Sequence, residues 1–222
     1  MDYATAIALF TAYGTAFHAL VQRGTVSPGE TLVVLGASGG VGLAAVELGK
    51  AMGATVIAVS RTRARSATAA EMGADHVIGY AEEDVRKRVL ELTGGAAPMC
   101  ASTCWGRALP GDVPGDELGW TAARRRFHHR RDTQAAGEPR PAQGLPARRG
   151  LLGGFLARDP AANSDNFRTL AEWIAQGRIS PRIAARYPLE AVPTALNDLL
   201  SRRISGKLVI DIAPEANAGA VA

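Results

Sequence analysis

The chain has only two cysteines in 222 residues, and it has no apolar run of the length that a membrane span needs. Two cysteines cannot build the disulfide framework of a small secreted domain, so we expect a reducing, cytoplasmic location. No stretch reaches the roughly 18 consecutive apolar residues that indicate a transmembrane helix. The apolar N-terminus carries Asp2 and no basic leader, which predicts a packed helix over residues 3–22 rather than a signal peptide.

A strong excess of charge of either sign is also missing, since 25 basic residues face 21 acidic ones and the net charge is +4. The basic run at residues 124–131 belongs to no recognisable nucleic-acid-binding motif. Cys100 and Cys104, with His128 and His129 downstream, match the spacing of structural zinc sites poorly. We therefore expect no nucleic acid, no membrane and no metal as partners of this chain.

Short apolar runs alternate with helical patterns in the first 95 residues. Runs of this length are typical of strands buried on both faces of a parallel sheet. The runs lie at residues 31–35, 55–59 and 76–78, and the helical patterns follow at residues 40–52, 63–72 and 82–92. The alternation predicts an α/β fold, a Rossmann-type parallel sheet with flanking helices. Later in the chain, helices are predicted at residues 165–176 and 190–202, and a final strand at residues 207–212.

A glycine-rich turn, Gly36-Ala-Ser-Gly39-Gly40-Val-Gly42, joins the first strand to the helix that follows it. Glycines at these positions allow a tight turn, a close approach of the backbone to a pyrophosphate, and close packing of helix on strand. The helix N-terminus adds free N–H groups and a partial positive charge. The predicted cofactor contacts are Gly36, Ser38, Gly39, Gly40, Val41 and Gly42. The alternative is a glycine-rich turn that holds no ligand.

The end of the second strand indicates which dinucleotide the turn would hold. A carboxylate there would accept a hydrogen bond from the adenosine ribose and favour NAD. The chain instead continues as Ser60-Arg61-Thr-Arg63-Ala-Arg65, and arginines suit a 2′-phosphate. We therefore predict NADP (NADPH) as the cofactor, with Ser60 and Arg61 as its contacts. A solvated basic turn is the alternative.

Several segments resemble the medium-chain dehydrogenase/reductase superfamily, and most closely its zinc-free NADPH:quinone oxidoreductase branch. They are residues 11–24 (TAYGTAFHALVQRG), 28–60, 72–80 and 158–210, about half of the chain. The resemblance implies hydride transfer from NADPH to a quinone or an activated alkene. It also implies that Tyr13 and Thr15 approach the nicotinamide, although core packing explains these two residues equally well. Lys207 matches an element near the cofactor, with a solvated lysine as the alternative. No residue is assigned a catalytic role.

The chain departs from the resembled family in two places, and these departures set the expected domains. The GroES-like domain that precedes the first helix in the family is lacking, so residues 1–22 are predicted to lead from that missing domain. Residues 23–95 form the first half of the NADP-binding Rossmann domain, and residues 154–222 form the C-terminal helices and final strand. Residues 96–153 match nothing in the family.

The composition of this unmatched segment is abnormal, because residues 96–150 hold nine arginines and six prolines but no isoleucine, tyrosine or lysine. Other reading frames of compatible codons would restore family-like strands, so we interpret residues 96–153 as a stretch read out of frame. We expect this stretch to be poorly ordered and to supply no strand to the sheet. In the resembled family a strand edge near residues 148–153 pairs subunits, which leaves a homodimer open to doubt.

Three functional hypotheses follow. The first is an NADPH-dependent, zinc-independent oxidoreductase of the quinone oxidoreductase type, here truncated and impaired. A close variant of it is an enoyl-thioester reductase of the same superfamily. The second is a dinucleotide-binding remnant without catalytic activity, and the third is a basic protein that binds nucleic acid through residues 124–131.

Overall fold

The computed structural model describes residues 1–96, 99–102, 120–124, 148–150, 152–201 and 204–212. Its first element is the helix α1 (Tyr3–Arg23), which begins where the Asp2 carboxylate accepts a hydrogen bond from the Thr5 amide at 2.8 Å. By length and composition this helix could cross a membrane. In this fold, however, Ala16 and Leu20 are completely buried in the core. The helix predicted at residues 3–22 is confirmed.

A six-stranded sheet forms the centre of the molecule, in the order β3-β2-β1-β4-β5-β6. The first four strands in that order run parallel, and β5 and β6 are antiparallel to their neighbours. The strands are β1 (Thr31–Leu35), β2 (Thr55–Ser60), β3 (His76–Gly79), β4 (Met99–Ser102), β5 (Trp120–Arg124) and β6 (Arg148–Gly150). The parallel α/β sheet predicted from the alternating pattern is confirmed.

Three of these strands correct an expectation, because β4, β5 and β6 lie within the segment that was expected to supply none. Strand pairing uses backbone N–H and C=O groups, so an edge can be satisfied by a segment with few apolar side chains. Here β4 pairs with β1 from Leu32↔Met99 to Leu35↔Ser102. The remainder of residues 97–151 lies outside the described residues, and the out-of-frame interpretation stays a prediction.

Helices cover both faces of the sheet between the parallel strands. α2 (Gly40–Ala51) follows β1, and α4 (Val85–Thr93) follows β3 with the Asp84 carboxylate capping its N-terminus. The helix predicted at residues 63–72 is shorter than expected. A 3₁₀ turn (Ala64–Ser66) comes first, and α3 (Ala67–Glu71) completes it.

The core has two layers, and the residues of β1 alternate between them. Leu32 and Val34 pack on one face against α1 and α2, whereas Val33 and Leu35 pack on the other face with Ile57. Each fully buried residue of this size contributes about 1.5–3 kcal/mol of hydrophobic stabilisation. Burial on both faces explains why the strand reads as a continuous apolar run.

The C-terminal part of the chain packs a pair of helices and a small second sheet against this unit. The helices α5 (Leu152–Arg158) and α6 (Pro160–Ala175) are followed by β7 (Ile183–Pro188), then α7 (Val192–Leu200) and β8 (Lys207–Asp211). β7 and β8 pair in parallel as a separate two-stranded sheet. The predicted final strand therefore exists, but β7, its partner, was not predicted.

Candidate functional site

The glycine-rich turn lies at the carboxyl end of β1, where it leads directly into α2. Gly36 has a φ of 78°, a conformation that favours glycine over other residues. The amides of Gly36 and Ala37 both donate to the carbonyl of Val59, at 2.9 and 3.1 Å. The turn is thus anchored to β2 through its backbone.

Two glycines of the turn have different steric roles. A Cβ on Gly42 would lie 2.2 Å from the carbonyl oxygen of Gly36 and 2.8 Å from the Cα of Ala37. Among the described residues, a Cβ on Gly39 would meet only the Gly36 oxygen, at 3.5 Å. Gly42 therefore permits the close packing of α2 on the turn, whereas Gly39 leaves the outer surface of the turn open.

The N-terminus of α2 faces this open surface. Gly39 is its N-cap, in an extended conformation, and no side chain caps the helix. The leading amides of a helix have no partner within the helix and carry a partial positive charge, so they suit an anion. The structure brings all of the predicted turn residues together at this point: Gly36, Ser38, Gly39, Gly40, Val41 and Gly42.

A lysine from the C-terminal sheet extends over the same helix end. The Cγ, Cδ and Cε atoms of Lys207 lie 3.1 to 3.3 Å from the position that a Cβ on Gly40 would occupy. The preceding residue, Gly206, forms a parallel bridge with Gly39. The ammonium group has no hydrogen bond or ion pair with any described residue, and partial burial lowers the pKa of Lys207. The aliphatic part of the Lys207 side chain thus packs against the first residue of α2.

The loop after β2 contains the residues that were predicted to recognise the adenosine end of the cofactor. Ser60 is buried, and its hydroxyl donates to the carbonyl of Thr62 at 2.9 Å and lies 2.6 Å from the Ser66 hydroxyl. That hydroxyl closes the loop, so the structure does not present it to a ligand. Arg61 is exposed at the tip, and its side chain makes no hydrogen bond or ion pair with the described residues.

Carboxylates reach this loop from the end of β3, where sequence reasoning did not look for them. Arg63 forms a two-point ion pair with Glu83, with its Nε 3.0 Å from Oε1 and its Nη2 3.0 Å from Oε2. The backbone amide of Arg63 donates to Glu82 at 3.2 Å. The Arg63 guanidinium lowers the pKa of Glu83. The carboxyl ends of parallel strands meet at one edge of the sheet, and that rule is the signal that would have placed these two glutamates here.

Tyr13 and Thr15, the predicted nicotinamide contacts, both use their hydroxyl groups in hydrogen bonds within the protein. The hydroxyl of Tyr13 donates to Oε2 of Glu47, whose Oε1 accepts a hydrogen bond from the Ser180 amide at 2.7 Å. Burial raises the pKa of Tyr13. Thr15 donates to the carbonyl of Thr11, one turn earlier in α1, at 2.8 Å. Glu47 lies about 10 Å along α2 from its first residue. These contacts agree with the packing alternative, and the nicotinamide contact stays a prediction.

Metal ligands do not cluster in the described part of the chain, where no three His, Cys, Asp or Glu side chains are grouped. Of the weak zinc candidates, Cys100 lies in β4, and Cys104, His128 and His129 lie outside the described residues.

Comparison with known proteins shows what this arrangement is similar to. The family described as Zinc-binding dehydrogenase matches residues 40–109, which include helix α2. The quinone oxidoreductase-like protein 2 homolog of Nematostella vectensis is 30% identical over 223 residues, covering 95% of this chain and 58% of that protein. The structure of Escherichia coli quinone oxidoreductase complexed with NADPH matches with a TM-score of 0.67 and 26% identity, over 95% of this chain and 66% of that one.

Together these matches show that the chain is similar to the medium-chain dehydrogenase/reductase superfamily and, within it, to the quinone oxidoreductase branch. A shorter match, 37% identical over 84 residues, is to a phenolphthiocerol/phthiocerol polyketide synthase subunit of Mycobacterium tuberculosis, covering 38% of this chain and 4% of that protein. The chain spans about three-fifths of the length of the Nematostella relative and two-thirds of the Escherichia coli chain.

Proposed function

We propose that this chain binds NADPH and forms the cofactor-binding part of a zinc-independent reductase that passes hydride to a quinone or an activated alkene. The observation that carries the proposal is the uncapped N-terminus of α2 with the Lys207 side chain lying across it. A cationic lysine and a row of backbone amides suit a diphosphate. The Escherichia coli protein of the same fold forms a complex with NADPH, which supports the assignment.

The residues of the turn fit this cofactor on steric grounds as well. The open surface at Gly39 leaves room for a pyrophosphate to approach the backbone. The exposed guanidinium of Arg61 stands at the end of β2, where the adenosine ribose of a dinucleotide lies in Rossmann folds. The cofactor supplies the hydride when bound, and the protein's part is to bind and orient it. We propose no acid or base among the described residues.

The enoyl-thioester reductase is a second candidate, favoured by the match to a polyketide synthase subunit. A third is dinucleotide binding without turnover. For all three candidates we propose a cytoplasmic protein whose ligands are small molecules and which binds neither nucleic acid nor membrane. A homodimer is the open alternative to a monomer.

Binding and turnover are separate measurements that divide these candidates. We expect NADPH fluorescence to report saturable binding to the purified chain, and NADPH oxidation to follow when a quinone is added. Oxidation only with an enoyl thioester would select the second candidate, and binding without oxidation would select the third.

Lysine variants test where the cofactor binds. Lys207→Met should weaken NADPH binding by about tenfold to a hundredfold, the range for losing a hydrogen bond to a charged group. Lys87→Met is the matched control, because Lys87 is exposed on α4, far along the chain from the turn. Equal affinity in the two variants would remove Lys207 from the site, and absence of NADPH binding by the wild type would refute the proposal.

A further inference from the structure

The loop after β2 carries arginines that differ in what they already bind. Arg63 holds Glu83 through two nitrogens, with its closest N–O distance 2.9 Å. Arg65 is half-buried, and it too already interacts with another group of the protein. The Arg61 side chain is exposed and makes no hydrogen bond or ion pair within the described part of the chain. A guanidinium that is already paired with a carboxylate offers a ligand less positive charge than one that is not.

Glu83 is held firmly enough to keep Arg63 in place. Its carboxylate also accepts a hydrogen bond from the Gly79 amide at 3.3 Å, and the Nε of Arg88 approaches it to 3.9 Å. The Glu83 side chain is 19% exposed, whereas the Arg63 side chain is 55% exposed. The Glu83 carboxylate is therefore the more buried partner of the pair, and the more exposed Arg63 side chain folds back onto it. Two-point pairs of this kind have a defined geometry that a single contact lacks.

We propose that Glu83 is a specificity-determining residue: by holding Arg63 it leaves Arg61 to recognise the 2′-phosphate, and it limits the preference for NADPH over NADH. The proposal rests on the proposed function, because it concerns the adenosine end of that same site. Residues at the carboxyl end of β2 face the adenosine ribose in Rossmann folds, and Arg61 and Arg63 both follow that strand directly. Glu83 thus offsets one of the positive charges that would otherwise attract a 2′-phosphate.

The neighbouring carboxylate provides a matched control. Glu82 accepts a hydrogen bond from the backbone amide of Arg63 at 3.2 Å, whereas the guanidinium of Arg63 donates its hydrogen bonds to Glu83. Glu82→Gln and Glu83→Gln remove the same charge from adjacent positions, but only Glu83→Gln releases the Arg63 side chain. The double variant Arg63→Gln/Glu83→Gln removes the pair as a whole.

The experiment measures dissociation constants for NADPH and for NADH by fluorescence titration, and compares their ratio between variants. Arg61→Gln should lower the preference for NADPH by about tenfold to a hundredfold. Glu83→Gln should raise it by roughly threefold to tenfold, and by more than Glu82→Gln does. The gain should vanish in the double variant, whose ratio should lie within about twofold of the wild type.

Each outcome decides the proposal. A Glu83→Gln ratio no higher than that of Glu82→Gln would overturn it, and so would a gain that persists in the double variant. If Glu83→Gln does not fold, Arg61→Gln still decides, because Arg61 is exposed and an unchanged ratio would remove it from the site. A wild type that binds NADPH while the ratios stay unchanged defeats this inference alone. A wild type that binds neither dinucleotide defeats the proposed function with it.

Discussion

Substitution of Gly42 by alanine tests the closest backbone packing in the site. The new Cβ would lie 2.2 Å from the Gly36 oxygen and 2.9 Å from the Gly36 carbonyl carbon. Ordinary carbon–oxygen contacts are about 3.3 Å or longer, so α2 must move away from the turn by roughly 1 Å. Overpacking against backbone that cannot rotate aside costs about 3 kcal/mol. For a protein of this size that lowers Tm by roughly 6–12 °C.

Gly39→Ala is the matched variant, since it adds the same methyl group three residues earlier. Its Cβ would meet only one atom, at 3.5 Å, and the φ of −84° is one that alanine adopts readily. The loss of stability should stay below about 1 kcal/mol, the cost of an unfavourable N-cap residue. The methyl group would, however, occupy the surface that a pyrophosphate approaches, so NADPH binding should weaken by about tenfold or more.

Thermal unfolding by circular dichroism and NADPH titration by fluorescence measure the two effects on the same samples. We expect Gly42→Ala to lower Tm strongly and Gly39→Ala to lower affinity with little change in Tm. The reasoning would be refuted if Gly42→Ala melted like the wild type, or if Gly39→Ala bound NADPH with unchanged affinity.

Two further predictions concern α1 and its surroundings. Thr25 follows this helix with a φ of 50°, a region that costs a side chain with a Cβ about 1–2 kcal/mol, so Thr25→Gly should raise the free energy of unfolding by roughly 0.5–1 kcal/mol in urea denaturation. A lower stability of Thr25→Gly would show that the Thr25 hydroxyl bond to Gly24 outweighs the backbone strain. His18 is buried with its ring stacked 4.3 Å from that of Phe155, and burial lowers its pKa. The unfolded chain then binds the proton more readily, so stability should fall as the pH drops below about 6.5, and His18→Gln should flatten that fall in denaturation curves measured from pH 7.5 to 5. Parallel pH curves for the two proteins would count against a buried neutral imidazole.

Most of the parallel sheet could be predicted from the sequence because its signals are local. The continuous apolar runs predicted β1, β2 and β3, and the glycine turn predicted where α2 begins. Gly36 and Gly42 were assigned roles that their backbone conformation and close contacts now explain. Periodicity and turn chemistry depend on residues near one another in the chain, so a single sequence reveals them.

Interactions between distant segments could not be predicted in this way. β4 to β6 were not expected, because the side chains of that segment have no strand pattern and the pairing is made by the backbone. The hydroxyl of Tyr13 donates to Glu47, 34 residues later, and the sequence did not predict this contact. Nothing in either local sequence indicates that α1 and α2 cross at those two residues.

The sequence by itself determined the glycine-rich turn, because strand, glycines and helix are consecutive and each glycine acts on its immediate neighbours. The tertiary structure alone decided the electrostatics around that turn. Folding brings Lys207, from near the C-terminal end of the chain, to the first residue of α2. It also pairs Glu83, which follows β3, with Arg63, which follows β2. Charge acts through space and falls with distance, so its effect depends on which residues folding brings together.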